Sequence, residues 1–133
     1  MHNITDFFST NKFGSLATCD SEKPDARPIE LVYSSPDGLY FYTSATEKLT
    51  QQLAANPNIC FCATDADYNY GKICGSVVFS DKQADKEKIL ANSKFASQIF
   101  NNSNLDKMKV FYLPHGSCML HTHLTDQVAS STF

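Results

Sequence analysis

One segment, residues 26–57, constrains the fold of this chain more than any other, because it has the pattern strand, turn, strand and helix. Apolar side chains alternate with other residues along 29–33, which is the period of a β-strand. Residues 35–38, Ser-Pro-Asp-Gly, are typical of a tight turn, and the strand-forming residues 39–43 follow. We therefore predict an antiparallel hairpin, with Arg27 on the same strand face as the apolar row.

A helix is predicted directly after this hairpin. Residues 44–47, Ser-Ala-Thr-Glu, match a capping box in which Ser44 caps the helix and Glu47 reaches back. Leu49 and Leu53 then form its inward face, and Asn-Pro at 56–57 ends it. Three polar residues are predicted nearer the other faces of the helix: Lys48, Gln51 and Gln52.

Arg27 is the only arginine among the 133 residues, and together with Lys48 it suggests an anion site. Free amides at a helix start, with a hydroxyl and a lysine beside them, can bind a phosphate. Arg27 would complete such a site from the neighbouring strand. The alternative is that Ser44 only caps the helix and Lys48 is a solvated charge, and the negative Glu47 in the same turn opposes an anion.

Five short motifs occur in a specific order: Gly-Ser-Leu-Ala-Thr-Cys-Asp at 14–20, Ala-Arg-Pro at 26–28, Asp-Gly-Leu-Tyr-Phe-Tyr-Thr-Ser at 37–44, Lys-Leu-Thr-Gln-Gln-Leu at 48–53 and Asn-Pro at 56–57. Their joint order resembles the pyridoxamine 5'-phosphate oxidase-like flavoproteins. The resemblance is strongest over residues 13–57 and continues through 59–81. It implies a mainly β fold, a six-stranded antiparallel split β-barrel with flanking helices, which binds FMN at a homodimer interface.

The resemblance also implies roles for individual residues. Arg27 would reach the phosphate or the ribityl chain of the flavin, and Lys48 would hold the phosphate. Strand residues would line the cofactor through backbone and hydroxyl groups, and one polar helix residue would lie near it. The implied cofactor-binding residues are Arg27, Pro28, Ile29, Tyr42, Thr43, Ser44, Lys48 and Gln51. No catalytic residue and no metal ligand is assigned.

A second subunit would complete the site. The strands that begin at Ile59 and Gly71 are expected to contribute from the partner chain. The loop 65–70 would approach the partner's cofactor, so Tyr68 and Tyr70 are candidates for shielding it. The alternative is a surface loop with partly packed tyrosines.

The resemblance implies that the protein is an FMN-dependent oxidoreductase, which passes reducing equivalents from NAD(P)H to an unidentified small acceptor. True pyridoxamine 5'-phosphate oxidases are expected to end in arginine-bearing segments that hold the substrate phosphate, whereas residues 125–133 contain no basic residue. The chain is more similar to the general stress protein and nitroimidazole-reductase-like branches. The alternative function is a flavin- or haem-binding carrier or sensor without turnover.

Composition excludes several other classes of protein. The 133 residues fit one domain spanning 1–133. A net charge of −3, with scattered lysines, argues against a nucleic-acid partner. The apolar runs are too short to cross a membrane and the N-terminus has no secretory pattern, so we expect a cytoplasmic protein.

The five cysteines are an odd number without a secretory context, so disulfides are not expected. Cys60 and Cys62 are two apart in a predicted strand and share a face. Two thiols on one face could bind a metal, but no second ligand pair at zinc-site spacing follows. We therefore interpret them as small buried hydrophobic residues.

Periodicity places the remaining elements. An N-terminal helix with Ile4, Phe7 and Phe8 is predicted to cover one mouth of the barrel. Strands are predicted at 13–20, 59–64 and 73–80, a polar connection at 21–25, and helices at 82–91 and 93–100.

The last predicted elements are a strand pair, 110–113 and 117–122, turned at Pro-His-Gly 114–116. His121 and His123 would share a face if the second strand continued. They are either metal or haem ligands or a surface pair without a ligand.

Overall fold

The computed structural model describes residues 2–133 and is built on one nine-stranded antiparallel sheet. Its strands run in the order β6-β7-β3-β2-β1-β4-β5-β8-β9. They are β1 (Phe13–Asp20), β2 (Lys23–Ser35), β3 (Gly38–Ser44), β4 (Asn58–Thr64), β5 (Tyr70–Ser76), β6 (Val78–Ser80), β7 (Met108–Leu113), β8 (Ser117–Thr122) and β9 (Gln127–Thr132). The helices are α1 (His2–Thr10), α2 (Lys48–Ala55), α3 (Gln83–Asn92) and α4 (Lys94–Ile99), and a 3-10 turn spans Leu105–Lys107.

The sheet curls into a half-barrel with flanking helices, so the predicted fold class is confirmed. The strand count differs from the six that were predicted. The run 73–80 divides at Val77 into β5 and β6, which pair with different strands. Residues 127–132 form β9, which pairs with β8 and was not predicted.

The inside of the half-barrel is filled by large apolar side chains. Phe41 and Phe61 are fully buried and meet edge to face with ring centroids 5.3 Å apart. Phe8 of α1 contacts Phe61, so the N-terminal helix covers the barrel interior as predicted. This inner cluster positions β3 and β4, the two strands that flank α2 in sequence.

A second apolar cluster lies on the outer face of β2, β3 and β7, beneath α3 and α4. Tyr40, Val110, Ile89 and Ala96 are buried there. The hydroxyl of Ser93, between the two helices, donates to the carboxylate of Glu30 at 2.6 Å. β3 and β7 are therefore covered on both faces, by the barrel interior and by the helices.

β2 is the strand that connects the two halves of the sheet. Residues 23–30 pair with β1 alone, and β3 joins only from Leu31 onward. Leu31 belongs to the inner cluster, and a bulge between Leu31 and Tyr33 breaks the alternation of the strand, so that Val32 and Tyr33 both pack against the outer cluster. The second edge of residues 23–30 therefore has no strand beside it, and Pro24 and Pro28 are tolerated there because they lack an N–H.

Three local predictions are corrected by the strand pairing. β7 pairs with β3 and β6, while β8 pairs with β5 and β9, so the predicted β7–β8 hairpin does not form. The polar connection predicted at 21–25 is only a two-residue turn, since β2 begins at Lys23. His123 lies beyond the end of β8 rather than on the strand with His121.

The expectation of no disulfide is also wrong. Cys60 of β4 lies directly opposite Cys74 of β5, and the two sulfurs are bonded. Cys62 is a partly buried free thiol, and Cys118 is a buried one. The interpretation of Cys60 and Cys62 as small buried hydrophobic residues is therefore wrong for Cys60, which is bonded, and Cys62 is only partly buried.

Candidate functional site

A large groove lies where the half-barrel is split, between residues 25–30 of β2, the end of β3 and the start of α2. We call it the split groove, and its volume is about 630 Å³. The unpaired edge of β2 forms one wall, so backbone polar groups without a strand partner face it. Its lining residues are Phe13, Asp25, Ala26, Arg27, Pro28, Ile29, Glu30, Tyr42, Thr43, Ser44, Glu47, Lys48, Leu49, Phe95, Ile99 and Phe100.

Seven of the eight sequence-predicted cofactor residues line this groove. They come from three elements: Arg27, Pro28 and Ile29 from β2, Tyr42, Thr43 and Ser44 from β3, and Lys48 from α2. The eighth, Gln51, is exposed and lines a neighbouring groove with Cys19 and Asp20, and Lys48 lines both grooves. The structure thus brings together residues up to 21 positions apart in sequence, and leaves Gln51 outside.

Arg27 is held in a closed polar network at one end of the split groove. Its guanidinium donates to Thr18 Oγ1 at 2.9 Å and to Gln52 Oε1 at 2.6 Å. It also donates to the Leu16 carbonyl at 3.1 Å and forms an ion pair with Asp25 at 3.1 Å. Since its side chain is only 22% exposed, Arg27 is fixed before any ligand arrives.

Asp25 balances the charge of Arg27. It accepts from Gln52 Nε2 at 2.8 Å and from the Ala26 amide at 2.9 Å. These hydrogen bonds, aided by the Arg27 and Lys48 charges, lower the pKa of the Asp25 carboxyl below its usual value, although partial desolvation opposes them. The ion pair therefore forms above the ordinary carboxyl pKa and is lost only as the pH falls through the lowered one.

Gln52 links this network to α2, and the sequence did not predict it. We expected Gln52 near the outer faces of the helix, but it is 4% exposed and contacts Arg27, Thr18 and Asp25. The spacing of Leu49, Gln52 and Leu53 is i, i+3, i+4, which is one helical face. This spacing indicates that Gln52 is buried with the two leucines, although the polarity of glutamine favours an exposed position.

The helix start differs from the predicted capping box. α2 begins at Lys48, its N-cap is Glu47, and the Glu47 side chain makes no capping hydrogen bond. Ser44 is still in β3, where its hydroxyl lies 3.1 Å from that of Thr46. Ser44 is thus available to the groove but does not cap the helix.

Lys48 is the exposed cation of the split groove. Its side chain is 68% exposed, and Nζ lies 3.2 Å from the Asp20 carboxylate. Exposed pairs of this kind contribute only about 0.2–1 kcal/mol. An arriving anion can therefore replace Asp20 at Lys48 at small cost.

An apolar wall at the other end of the groove was not predicted as part of the site. Phe13 at the start of β1 meets Phe95 of α4 edge to face, with centroids 5.5 Å apart. Ile99 and Phe100 extend this wall along α4. The groove thus combines a charged end with an apolar end, as an amphiphilic ligand requires.

Tyr42 and Glu30 lie beside the apolar wall, because Tyr42 meets Phe100 edge to face and Glu30 lies opposite Phe13 of β1. Burial raises the pKa of the Tyr42 phenol, and the nearby Glu30 charge adds to this, while a hydrogen bond with Ser93 opposes it. The phenol therefore stays protonated at neutral pH and is a hydrogen-bonding group rather than a base.

The two histidines line another groove, to which β4, β5 and β8 contribute. This smaller groove is lined by Cys62, Thr64, Tyr68, Tyr70, His121 and His123. His121 stacks on Tyr70 and its Nε2 lies 2.6 Å from Asp126. Burial raises the pKa of the Cys62 thiol, and among residues 2–133 no group of three or more metal-ligating side chains converges.

Comparison with known proteins identifies the family. The sequence model of pyridoxamine 5'-phosphate oxidase matches residues 1–115 of the 133. The chain belongs to the pyridoxamine 5'-phosphate oxidase family. The family resemblance predicted from the five motifs is therefore confirmed. No curated protein matches the sequence.

Solved structures similar to this family member include both predicted branches. A NimC/NimA family protein from Clostridium acetobutylicum superimposes with a TM-score of 0.88 at 19% identity, over 100% of this chain and 92% of that one. A protein of the same organism related to general stress protein 26 of B. subtilis gives 0.72 at 14% identity, over 99% and 92%.

A third similar structure is the FAD and heme binding protein from Mycobacterium smegmatis. It superimposes with a TM-score of 0.70 at 15% identity, over 85% of this chain and 65% of that one. At these identities the likeness establishes the fold, and the family has flavin- and haem-binding neighbours. Within residues 2–133, no helix of this family member has the length and apolar character needed to span a membrane.

Proposed function

We propose that this protein is an FMN-dependent oxidoreductase, active as a homodimer, which passes reducing equivalents from NAD(P)H to a small acceptor. The observation that carries the proposal is the split groove itself, where two cations, an open strand edge and an apolar wall meet. Membership of the pyridoxamine 5'-phosphate oxidase family and the flavin-binding neighbour support the same cofactor.

The groove residues suit the parts of FMN. Lys48 would bind the phosphate, since it is exposed and its present partner is weakly held. Arg27, fixed by its network, would contact the phosphate or ribityl chain through the edge of its guanidinium. The open backbone edge at Pro28 and Ile29 would meet the polar edge of the ring.

When bound, FMN would supply the hydride chemistry, and the protein would supply position and electrostatics. Tyr42, Thr43 and Ser44 would line the cofactor from β3. The carboxylates Asp25, Glu30 and Glu47 outnumber the two cations of the groove, so the site would favour the oxidised, less negative ring. Gln51 would not line the FMN site itself, because it lies in the neighbouring groove, which adjoins the split groove at Lys48.

Lys48→Ala is expected to weaken FMN binding by about 1–3 kcal/mol, the range for hydrogen bonds that involve a charged group. The melting temperature without FMN should change little, since the Lys48–Asp20 pair is exposed. Titration calorimetry or flavin fluorescence would give the affinities. Asp20→Asn is the matched control. It removes the ion-pair partner of Lys48, so it should increase the affinity for FMN by up to about fivefold. Equal affinity in all three proteins would remove Lys48 from the phosphate site.

The alternative is a flavin or haem carrier or sensor without turnover. Two observations favour this alternative. His121 and His123 line one groove, and a similar solved protein is a haem-binding protein. The visible spectrum of the purified protein separates the two. Flavin bands that bleach on anaerobic addition of NADH or NADPH support the oxidoreductase, flavin bands that persist support the carrier, and a Soret band supports haem. A protein that refuses added FMN contradicts the proposal.

A further inference from the structure

Glu30 is a buried carboxylate that lines the apolar end of the split groove. It is only 7% exposed, and Ser93 Oγ donates to its Oε1 at 2.6 Å. Ser93 Oγ also accepts from the Ala96 amide at 3.0 Å, so the proton of this hydroxyl is directed to Glu30. The hydrogen bonds of Glu30 are thus fixed on one of its two oxygens.

The second oxygen, Glu30 Oε2, has no hydrogen-bond partner among residues 2–133, and no cation of these residues forms an ion pair with it. A buried carboxylate is normally paired, because an unpaired charge in an apolar environment is costly. Oε2 still reaches solvent, since the fully enclosed polar atoms without a partner belong to Tyr33 and His121. It is therefore open to a ligand in the groove.

Aromatic and aliphatic side chains surround this oxygen. Phe13 lies directly opposite Glu30 in the pairing of β1 with β2, and its ring meets Phe95 edge to face. Phe13, Phe95 and Ile99 are 58%, 46% and 58% exposed, although all three are large and apolar. Exposed apolar patches with a polar group beside them are typical of ligand grooves. We call Glu30, Phe13, Phe95 and Ile99 the Glu30 subsite.

The charges of the split groove favour a cationic ligand at this subsite. Arg27 is already paired with Asp25. Lys48 lies at the other end of the groove, where its charge would be balanced by Asp20 or by the phosphate of the proposed cofactor. The Glu30 charge thus has no counter-charge of its own, and it would attract a cation and repel an anion.

The Phe95 ring of the subsite already interacts with a cation. Lys94 Nζ lies 5.9 Å from the centroid of this ring, within the range of a cation–π interaction. Lys94 is exposed and does not form an ion pair with Glu30. An organic cation in its place would contact both the aromatic ring and the carboxylate.

We propose that the Glu30 subsite binds a flat aromatic molecule that carries a cationic N–H group. The N–H group would donate to Glu30 Oε2, and the aromatic ring would lie against Phe13 and Phe95. This ligand would occupy the apolar end of the groove while the charged end holds the phosphate. The inference rests on the proposed function only for the neighbouring cofactor, because the residues of the subsite all belong to this chain.

Three small probes of nearly equal shape test the charge preference: benzamidine, a cation, benzamide, its neutral analogue, and benzoate, an anion. Equilibrium dialysis at neutral pH, with and without FMN, would give their affinities for the purified protein. Benzamidine should bind about tenfold or more tightly than benzamide, since hydrogen bonds between charged groups are the stronger ones. Benzoate should bind more weakly than both. Equal affinities for benzamidine and benzoate would overturn the inference.

Glu30→Gln tests the carboxylate, and it keeps an oxygen that can accept from Ser93. Benzamidine should bind about tenfold or more weakly to this variant, and benzamide should be little affected. Glu47→Gln is the matched control, because it makes the same change at an exposed carboxylate on the charged end of the groove and should leave benzamidine affinity unchanged. Wild-type benzamidine affinity in Glu30→Gln would contradict the proposal.

Two further variants separate the ring contact from the charge. Phe95→Ala should weaken benzamidine and benzamide alike, whereas Lys94→Gln should strengthen benzamidine alone, because it removes a competing cation. The titration with FMN is a separate readout. If the protein refuses FMN but binds benzamidine through Glu30, the cofactor proposal fails and the subsite stands. If FMN displaces benzamidine, the probe lies in the flavin position and the inference fails.

Discussion

Arg27→Ala should lose both FMN affinity and stability of the cofactor-free protein. Removal of the guanidinium leaves Gln52 and Thr18, which are 4% and 3% exposed, without their charged partner. Thr18 Oγ1 still donates to Gln52 Oε1, so the loss is that of hydrogen bonds from a charged donor, about 1.5–3 kcal/mol. We expect a decrease of that size in the free energy of unfolding, and a further about 1–3 kcal/mol in FMN binding. Urea denaturation and calorimetric titration would measure the two separately.

Arg27→Lys is the matched control for this variant. Lysine keeps the positive charge but cannot donate to Thr18, Gln52 and Asp25 at the same time. It should therefore recover part of the FMN affinity and little of the stability. If Arg27→Ala unfolds at the same urea concentration as the wild type, the network does not stabilise α2 against the sheet.

Phe41→Ala should lower the free energy of unfolding by about 3–5 kcal/mol, the usual cost of truncating a buried phenylalanine. Phe41 is fully buried, stacks on Phe111 at 5.2 Å and contacts Phe61. Since it directly precedes Tyr42 in β3, the cavity would also loosen the wall of the split groove. Thermal and urea unfolding at one fixed protein concentration would measure the loss, because the stability of a dimer depends on concentration.

Phe41→Leu serves as the control, because it keeps most of the apolar volume and should cost about 1.5 kcal/mol or less. At a temperature where both variants are folded, Phe41→Ala should bind FMN more weakly than the wild type. Phe41→Leu should bind it with unchanged affinity. A loss below about 1 kcal/mol for Phe41→Ala would mean that the inner cluster collapses around the cavity.

Residue patterns within a short segment predicted the bounds of several strands, helices and turns. β1 has the bounds that its residue pattern predicted, 13–20, because polar or turn residues flank it on both sides. α3 and α4 agree with the predicted helices to within a residue or two, since their apolar residues recur at helical spacing. The turn at 36–37 followed from Pro-Asp-Gly, and Gly38 has a φ of 148°.

Pairings between distant residues could not be predicted in the same way. β7 and β8 are adjacent in sequence and have a turn between them, yet they join opposite halves of the sheet. The Cys60–Cys74 bond depends on the β4–β5 register, which places these two residues opposite each other. A strand pattern shows which residues share a face but not which strand lies beside them.

The candidate site, like the fold, was predicted from the sequence only in part. Motif order predicted eight cofactor-binding residues, and seven of them line the split groove. The apolar wall at Phe95 and Ile99 comes from α4, far along the chain, where no motif marks it. Gln52 lies on the buried face of α2, which its helical position indicates and its polarity does not.

Because β3 and β7 are covered on both faces, their amide protons should be protected from hydrogen exchange until the protein unfolds globally. Amide protons in these two strands can exchange with solvent only when the barrel interior and the helical layer separate together, so their protection should approach the full unfolding free energy. β9, with every side chain exposed, should exchange through local fraying. A deuterium-labelling time course on the isolated protomer would therefore show one slow inner pair of strands and one fast edge.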